Sequence, residues 1–448
     1  MTDIEPTALV DEGLGNTAYL LDLGDGSALA VDPARDLRTV RAAADRTGLR
    51  PRLVAETHLH ADFVSGALQL RSRDRVEILA SGAGGRAFPH RGLGEGDEVD
   101  LGGLTLRALG TPGHTEEHLS YLILDGTRPL GVFTGGSLLV GAAARTDLVD
   151  PDRAEELARR QFRSLQRLLE LPDEVAVWPT HGAGSFCSAP PGAERTSTIG
   201  AEKAGNPLLA AADEDEFVER LLGGLGSYPS YFDHLSEVNR SGPAVVAEPP
   251  TLEPLSAERV RRLQADGAAV VDARPVRDFG PAHVPGSVSI PLRGQFATWL
   301  GWVVEFGTPV VIVRDPGQDP AEIAWQAAKV GYELAGELAG GVDAWDGPAA
   351  AIPVLDPAEA AGEGATVLDV RQESEYVAGH VPGAVGIELG GLGEADLPSG
   401  PLLSMCGHGE RAMTGASLAA RRGARVSVLA GGPDELAEAA DLPLADGR

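Results

Sequence analysis

Cysteine is nearly missing from this chain: Cys187 and Cys406 are the two thiols among 448 residues. Two thiols so far apart exclude a disulfide framework and direct attention to what each could do as a reactive group. Lysine is equally scarce, with Lys203 and Lys329 the two examples. Arginine therefore carries the positive charge, which with the abundant Ala and Gly suits a bacterial genome of high GC content. Positive charge is short altogether, 37 basic against 66 acidic residues for a net charge of −29. That balance argues against nucleic acid and anionic membrane surfaces, both of which reward clustered positive charge. No apolar run of about 18 residues marks a membrane span. The stretch Met1-Thr2-Asp3-Ile4-Glu5 has neither the basic nor the apolar part of a signal peptide. A reducing cytoplasm is the expected location.

What is present points to several domains, since the length exceeds one ordinary core. Short strands are expected at 17–22 and 28–32 around the turn Gly24-Asp25-Gly26, followed by a helix over 36–48. A strand over 52–56 then runs into Thr57-His58-Leu59-His60-Ala61-Asp62-Phe63. Alternating strand and helix signals predict an α/β domain. Two histidines at i and i+2 with an aspartate at i+4 can converge on one cation, and imidazole with carboxylate suits zinc or iron. His114, in Thr111-Pro112-Gly113-His114-Thr115, and His181, in Trp178-Pro179-Thr180-His181-Gly182, each follow an expected strand. Strand ends are where α/β folds build sites.

These residues resemble the metallo-β-lactamase superfamily and, within it, the persulfide dioxygenases. The likeness runs over residues 16–243. It is carried by the motif from Thr57 to Asp62, Pro112-Gly113-His114-Thr115, Phe133-Thr134-Gly135, Arg145-Thr146-Asp147 and His181-Gly182-Ala183-Gly184-Ser185. Thr198-Ile199-Gly200, Asn206-Pro207 and Tyr231-Phe232 belong to it too. The resemblance implies an αββα sandwich and a mononuclear iron held by His58, His114 and an aspartate. This chain departs at that aspartate, where it has Gly136, and at the family's Asp-His, where Asp62 is followed by Phe63.

Gly136 offers no side chain to a triad of two histidines and a carboxylate, so iron is implied with an incomplete ligand set, and zinc is less expected. His60, Asp62 and His181 either build a different metal site or remain as part of a ligand-binding cleft without catalytic iron. Arg145 and Lys203 are candidate anchors for the carboxylates of a glutathione-like thiol. Cys187 is read as a buried or incidental cysteine in preference to a second persulfide relay. Residues 208–222 are expected as a helix whose acidic run Asp213-Glu214-Asp215-Glu216 is a solvated N-terminus.

Proline density rises over 241–254, as in a stiff linker. A repeat follows. Val270-Val271-Asp272-Ala273-Arg274 returns as Val367-Leu368-Asp369-Val370-Arg371, and His283-Val284-Pro285-Gly286 as His380-Val381-Pro382-Gly383. Self-similarity over about a hundred residues means two copies of a whole domain. Both copies resemble rhodanese domains, over residues 255–346 and 356–442. Domain limits of 1–245, 246–350 and 351–448 follow, giving a metallo-β-lactamase-like αββα sandwich and two rhodanese-like α/β domains with parallel sheets.

In the second copy a strand over 402–405 and a helix over 414–422 enclose Cys406-Gly407-His408-Gly409-Glu410-Arg411. Inward backbone N–H groups of such a loop form an anion nest, and a helix end with an arginine favours the nucleophilic thiolate. Cysteine phosphatases place five residues between Cys and Arg; four stand here, and Gly407 and Gly409 permit the tighter curve. His408 either tunes the loop or faces solvent. In the first copy Arg314 stands opposite Cys406, so that copy has no nucleophile and is expected to be a structural spacer. The expected activity is sulfur transfer through a Cys406 persulfide, steadied by Arg411 and the amides of Gly407, His408, Gly409 and Glu410. Thiosulfate and a low-molecular-weight thiol or persulfide are the expected partners, in a homo-oligomer. Two alternatives stand: a bifunctional iron enzyme that oxidises a persulfide to sulfite, and a carrier or sensor that loads sulfur without turnover.

Overall fold

The computed structural model describes residues 4–187, 194–246 and 250–447. Part of the expected linker, residues 247–249, lies outside them. The chain divides into two compact units, Met1–Glu248 with the short segment Ala328–Gly331, and Pro249–Ala327 with Tyr332–Arg448. Among the described residues no helix is long and apolar enough to cross a membrane.

The first unit is built on two six-stranded sheets. One runs, in spatial order, through Thr7–Asp11, Asn16–Asp22, Ser27–Val31, Arg50–Ala55, Glu77–Ser81 and Arg91–Leu93. The other runs through Ser197–Thr198, Ala176–Pro179, Arg128–Gly135, Leu119–Asp125, Thr105–Gly110 and Glu98–Asp100. Alternate side chains meet between them: Tyr19, Leu21, Leu29 and Leu53 from one face against Leu106, Tyr121, Phe133 and Trp178 from the other. Residues of opposite parity turn outward and are covered by helices. Leu20, Ala30 and Val54 pack under Arg38–Thr47 and Ala67–Asp74, while Leu122, Val132 and Val177 pack under Ala154–Leu168 and Glu214–Gly223. Strands buried on both faces read as continuous apolar runs, as in Ala28-Leu29-Ala30-Val31. Each fully buried Leu or Phe contributes about 1.5–3 kcal/mol. The expected αββα sandwich is what forms.

The expected helix over 208–222 begins later, at Glu214, because the Asp213 carboxylate accepts from Glu216 N–H at 2.9 Å and caps it there. The acidic run is the cap and first turn of that helix.

The second unit holds two five-stranded parallel sheets of one topology. Their orders are Pro254–Leu255, Leu334–Leu338, Val310–Val313, Ala269–Asp272, Val288–Ser289 and Val354–Leu355, Val426–Leu429, Leu402–Met405, Thr366–Asp369, Val385–Gly386. Even register repeats, Asp272 pairing with Val313 and Asp369 with Met405. In each copy the Asp-x-Arg motif closes on itself as a fork. Arg274 binds both oxygens of Asp272 and reaches Ala282 O at 2.8 Å, and Arg371 does the same with Asp369 and Gly379 O at 2.7 Å. The fork ties the strand end to the turn that opens with His283 or His380. Those histidines stack on Phe279 and Tyr376 at 3.9 and 4.0 Å between ring centres.

Candidate functional site

Cys406 directly follows Leu402–Met405, the middle strand of its sheet. It is buried, at 2% exposure. The helix that follows begins at Glu410, earlier than the sequence suggests, because Gly409 caps it in the left-handed region at φ 88°. Arg411 therefore sits in the first helical turn and not in the loop. Gly409, the residue that caps the helix start, donates its N–H to Cys406 Sγ at 3.1 Å. A side chain at Gly409 would meet Leu429 O at 3.4 Å in a strained backbone.

Arg411 is held by a fork to Glu375, at 2.6 and 2.9 Å, with Trp299 of the first copy beneath its guanidinium at 5.9 Å. Partial burial pushes the Glu375 carboxyl up, but Arg411 holds it below the ordinary glutamate range. Gly407 lies beside this guanidinium. His408 is exposed and lines, with Gly409, a largely apolar cavity of about 550 Å³ whose other walls include Val276 and Pro281 of the first copy and Val428. Glu410 pairs with Arg293 of the first copy at 2.7 Å.

The first copy also packs directly on the helix behind Cys406. Thr414 Oγ1 donates to Ser289 O at 2.7 Å, Ser289 N–H donates to Ser417 Oγ at 3.2 Å, and Phe279 joins the core around Met413 and Ala416. Its own strand end carries Arg314, which is committed to Glu337 and to the carbonyls of Asp315 and Gln318.

In the first unit, His58, His114 and His181 meet with ring centres 4.8 to 5.4 Å apart. Each Nδ1 is anchored: His58 by Thr57 Oγ1 at 2.9 Å, His114 by Arg145 O at 2.7 Å and His181 by Asn16 Oδ1 at 3.0 Å. Anchored Nδ1 atoms leave the Nε2 atoms as the ligating ones, and His58 Nε2 lies 3.3 Å from His181 Nε2. Burial, with the neighbouring imidazoles, holds His58 well below the ordinary histidine value, and burial with His181 brings His114 down to about 3. Both rings are thus neutral, the form that offers a lone pair.

His60 joins His58 and His181 in a second group, one ligand nitrogen of each lying within 4.8 Å of the others, and both His60 and Asp62 have further neighbours. His60 Nε2 lies 3.2 Å from Asp32, and although burial opposes it, Asp32 holds this imidazole above its ordinary value. Asp62 Oδ2 accepts from Asn16 at 2.7 Å and lies 3.2 Å from His181 Nδ1, while its Oδ1, also buried, has no partner. Phe63 stacks on His60 at 4.2 Å. Asn239 of helix Phe232–Ser241 holds the backbone of this loop by donating to His60 O and Phe63 O, both at 2.8 Å.

Three participants escaped the sequence reading. Asp32 stands at φ 47° and binds Thr57 N–H at 2.8 Å, Thr57 Oγ1 at 2.6 Å and Thr180 Oγ1; burial raises its carboxyl, but His60 and these hydroxyls bring it to about 2. His118, four residues after His114, accepts from Gly136 N–H at 3.0 Å. Gln161 accepts from His114 N–H at 2.8 Å and lies where any Gly113 side chain would have to go. The His114-x-x-x-His118 spacing was the one signal in the sequence for any of them.

Arg145 and Lys203, expected as substrate anchors, each have a carboxylate partner in the chain. Arg145 is buried in a fork to Asp147 at 2.7 and 2.8 Å, donates to Gly226 O and stacks over Tyr228. Lys203 pairs with Asp173 at 2.6 Å. Cys187, in contrast, is drawn in: its Sγ and one ring nitrogen each of His114 and His181 lie within 4.8 Å of one another.

The carboxylate expected of an iron ligand set falls at Gly136, while Asp62 keeps a buried carboxylate oxygen without a hydrogen-bond partner. Gly136 supplies no ligand, and a Cβ there would lie 2.3 Å from His114 Cδ2, so the His114 ring occupies the space that an acidic side chain would need.

A two-sheet sandwich with histidines at its strand ends, followed by paired parallel sheets, defines the class. The chain belongs to the metallo-beta-lactamase superfamily, matched over residues 11–181, and carries two rhodanese-like domains, matched over 256–347 and 356–439. A hydroxyacylglutathione hydrolase of Ruegeria pomeroyi is 30% identical over 241 residues, covering 48% of this chain and 90% of that one. The human mitochondrial persulfide dioxygenase ETHE1 is 28% identical over 216 residues, 46% of this chain and 76% of its own length. A crystal structure titled as a metallo-beta-lactamase from Staphylococcus aureus superimposes with a TM-score of 0.66 at 28% identity, covering 75% of this chain and 99% of that one.

Proposed function

We propose that the chain is a sulfurtransferase working through Cys406, with domains at 1–245, 246–350 and 351–448 and a first domain impaired for iron-dependent persulfide oxidation. The observation that carries this reading is the Gly409 N–H aimed at Cys406 Sγ from a helix start, with Arg411 in the first turn. The Cys406 thiolate attacks the outer sulfur of a donor such as thiosulfate; the S–S bond breaks and sulfite leaves with the electron pair. Amides at the helix start steady the resulting persulfide anion. A thiolate or cyanide acceptor then attacks the terminal sulfur, and Cys406 leaves as thiolate, ready for the next cycle. The largely apolar cavity beside His408 suits an acceptor with a small organic body. Relatives named for persulfides and for acylated glutathione support a low-molecular-weight thiol as that acceptor.

The test is thiosulfate:cyanide exchange by the full chain. Steady thiocyanate production is expected. One sulfur bound per chain without turnover would establish a carrier instead.

A further inference from the structure

The cleft that rejects a carboxylate at position 136 gathers a different set of ligands. Cys187, His114 and His181 are all buried, with one potential ligand atom from each lying within 4.8 Å of the others. His58 Nε2 stands 3.3 Å from His181 Nε2, close to the roughly 3.3 Å that two imidazole nitrogens span across a tetrahedral zinc.

The backbone shows that Cys187 is built into this place. Arg145 N–H donates to Cys187 O at 3.3 Å, while Arg145 O anchors His114 Nδ1 at 2.7 Å. One residue thereby positions two members of the set. From the other side, Cys187 N–H donates to Ser185 Oγ at 3.2 Å, and Arg145 also reaches Phe186 O at 3.2 Å. Ser185 is itself fixed against Gly15, where any side chain would overlap its backbone nitrogen. Nearby, the buried Asp62 Oδ1 lacks a partner, an uncompensated negative atom of the kind a cation offsets.

We propose that this cleft is a zinc-type metal centre in which Cys187 supplies the anionic ligand that Gly136 cannot, with His114 and His181 as the imidazole ligands. A thiolate with two imidazoles suits zinc, and three protein ligands leave a fourth position open. The thiol proton leaves to solvent as the metal binds.

Cobalt(II), which absorbs in the near ultraviolet when bound by thiolate, is the probe. With two thiols in the chain, Cys406→Ser leaves Cys187 as the one source of that band and requires no change in the buried cluster. The cobalt-loaded full-length Cys406→Ser protein is expected to keep the thiolate-to-cobalt band at wild-type intensity, and zinc is expected to displace it. Cys187→Ser is expected to lose the band and to bind zinc at least about tenfold more weakly by chelator competition, a loss no smaller than removal of a supporting residue produces. Absence of the band in Cys406→Ser, or an unchanged band and zinc affinity in Cys187→Ser, would overturn the proposal. Should Cys187→Ser fail to fold, the Cys406→Ser spectrum decides alone. Neither outcome touches the sulfur-transfer reading, whose readout is thiocyanate.

Discussion

The two rhodanese-like copies share nearly everything except the residue at the end of the middle strand. Sheet order, strand register, the arginine fork on Asp272 or Asp369 and the stacked His283 or His380 all recur. At the strand end, however, the first copy turns Arg314 back onto Glu337 and Gln318 O, whereas the second presents Cys406 to Gly409 N–H. The comparison separates two kinds of motif. Asp-x-Arg and His-Val-Pro-Gly hold the fold, and their presence says nothing about chemistry. The loop after the strand decides the chemistry, and one copy has given it up for an internal ion pair.

The strongest way to break the comparison is to exchange the strand-end residues. Cys406→Ser is expected to abolish thiocyanate production. Adding Arg314→Cys to it is expected to restore none, because residues 315–319 of the first copy hold no Gly-x-Gly nest and no arginine for a persulfide. Recovery of turnover in the double variant would show that the first copy retains a working loop. Next in size are the shared forks. Asp272→Ala and Asp369→Ala each leave a mostly buried arginine without its carboxylate, an expected loss of about 3–5 kcal/mol in urea unfolding. Equal losses in the two copies would support a purely structural role; a small loss in the second copy with a large loss of activity would place Asp369 in the chemistry.

Much of this was legible from residues alone, for physical reasons that differ by region. The repeat showed itself because each copy must spell the same strand end and turn. The Cys406 loop was visible because glycine spacing and a terminal arginine are local signals. The helix start at Glu410 was misplaced because it depends on the φ of Gly409, which composition does not report. In the first unit, His58, His114 and His181 were readable, but Asp32 and Gln161 were not, since their importance arises from strands and helices far apart in sequence. Cys187, expected as a buried or incidental cysteine, is buried, and its place beside His114 and His181 depends on the backbone of Arg145, 42 positions earlier.

Arg411 tests how far the second copy depends on charge near the sulfur. Arg411→Gln is expected to lower kcat/KM for thiosulfate by roughly 10- to 100-fold, with Arg411→Lys intermediate because it keeps the charge and loses the fork to Glu375. Circular dichroism should stay unchanged in both. The same pair predicts a pH dependence of stability. Because the folded-state Glu375 carboxyl titrates below its unfolded value, its contribution is present above the ordinary glutamate range and is lost as pH falls through the depressed value. The Tm gap between wild type and Glu375→Gln is therefore expected at neutral pH and should close on acidification. A gap that widens in acid would mean the pair is not what holds Glu375.

The smallest expected effect is the most informative about the silent copy. Arg293 reaches across to Glu410 at 2.7 Å, with both side chains near 40% exposed, so the pair contributes less than about 1 kcal/mol to stability. Its electrostatic effect on an anionic donor can still be read. Removing Arg293 leaves the Glu410 carboxylate unpaired in the first turn after the nucleophile loop, where it repels thiosulfate. Arg293→Ala is accordingly expected to raise KM for thiosulfate about twofold at low ionic strength, with kcat unchanged. The difference should vanish near 1 M salt, where the screening length falls to about 3 Å. A KM indifferent to Arg293 at low salt would reduce the first copy to packing, while a fall in kcat would mean that its arginine reaches the reacting sulfur.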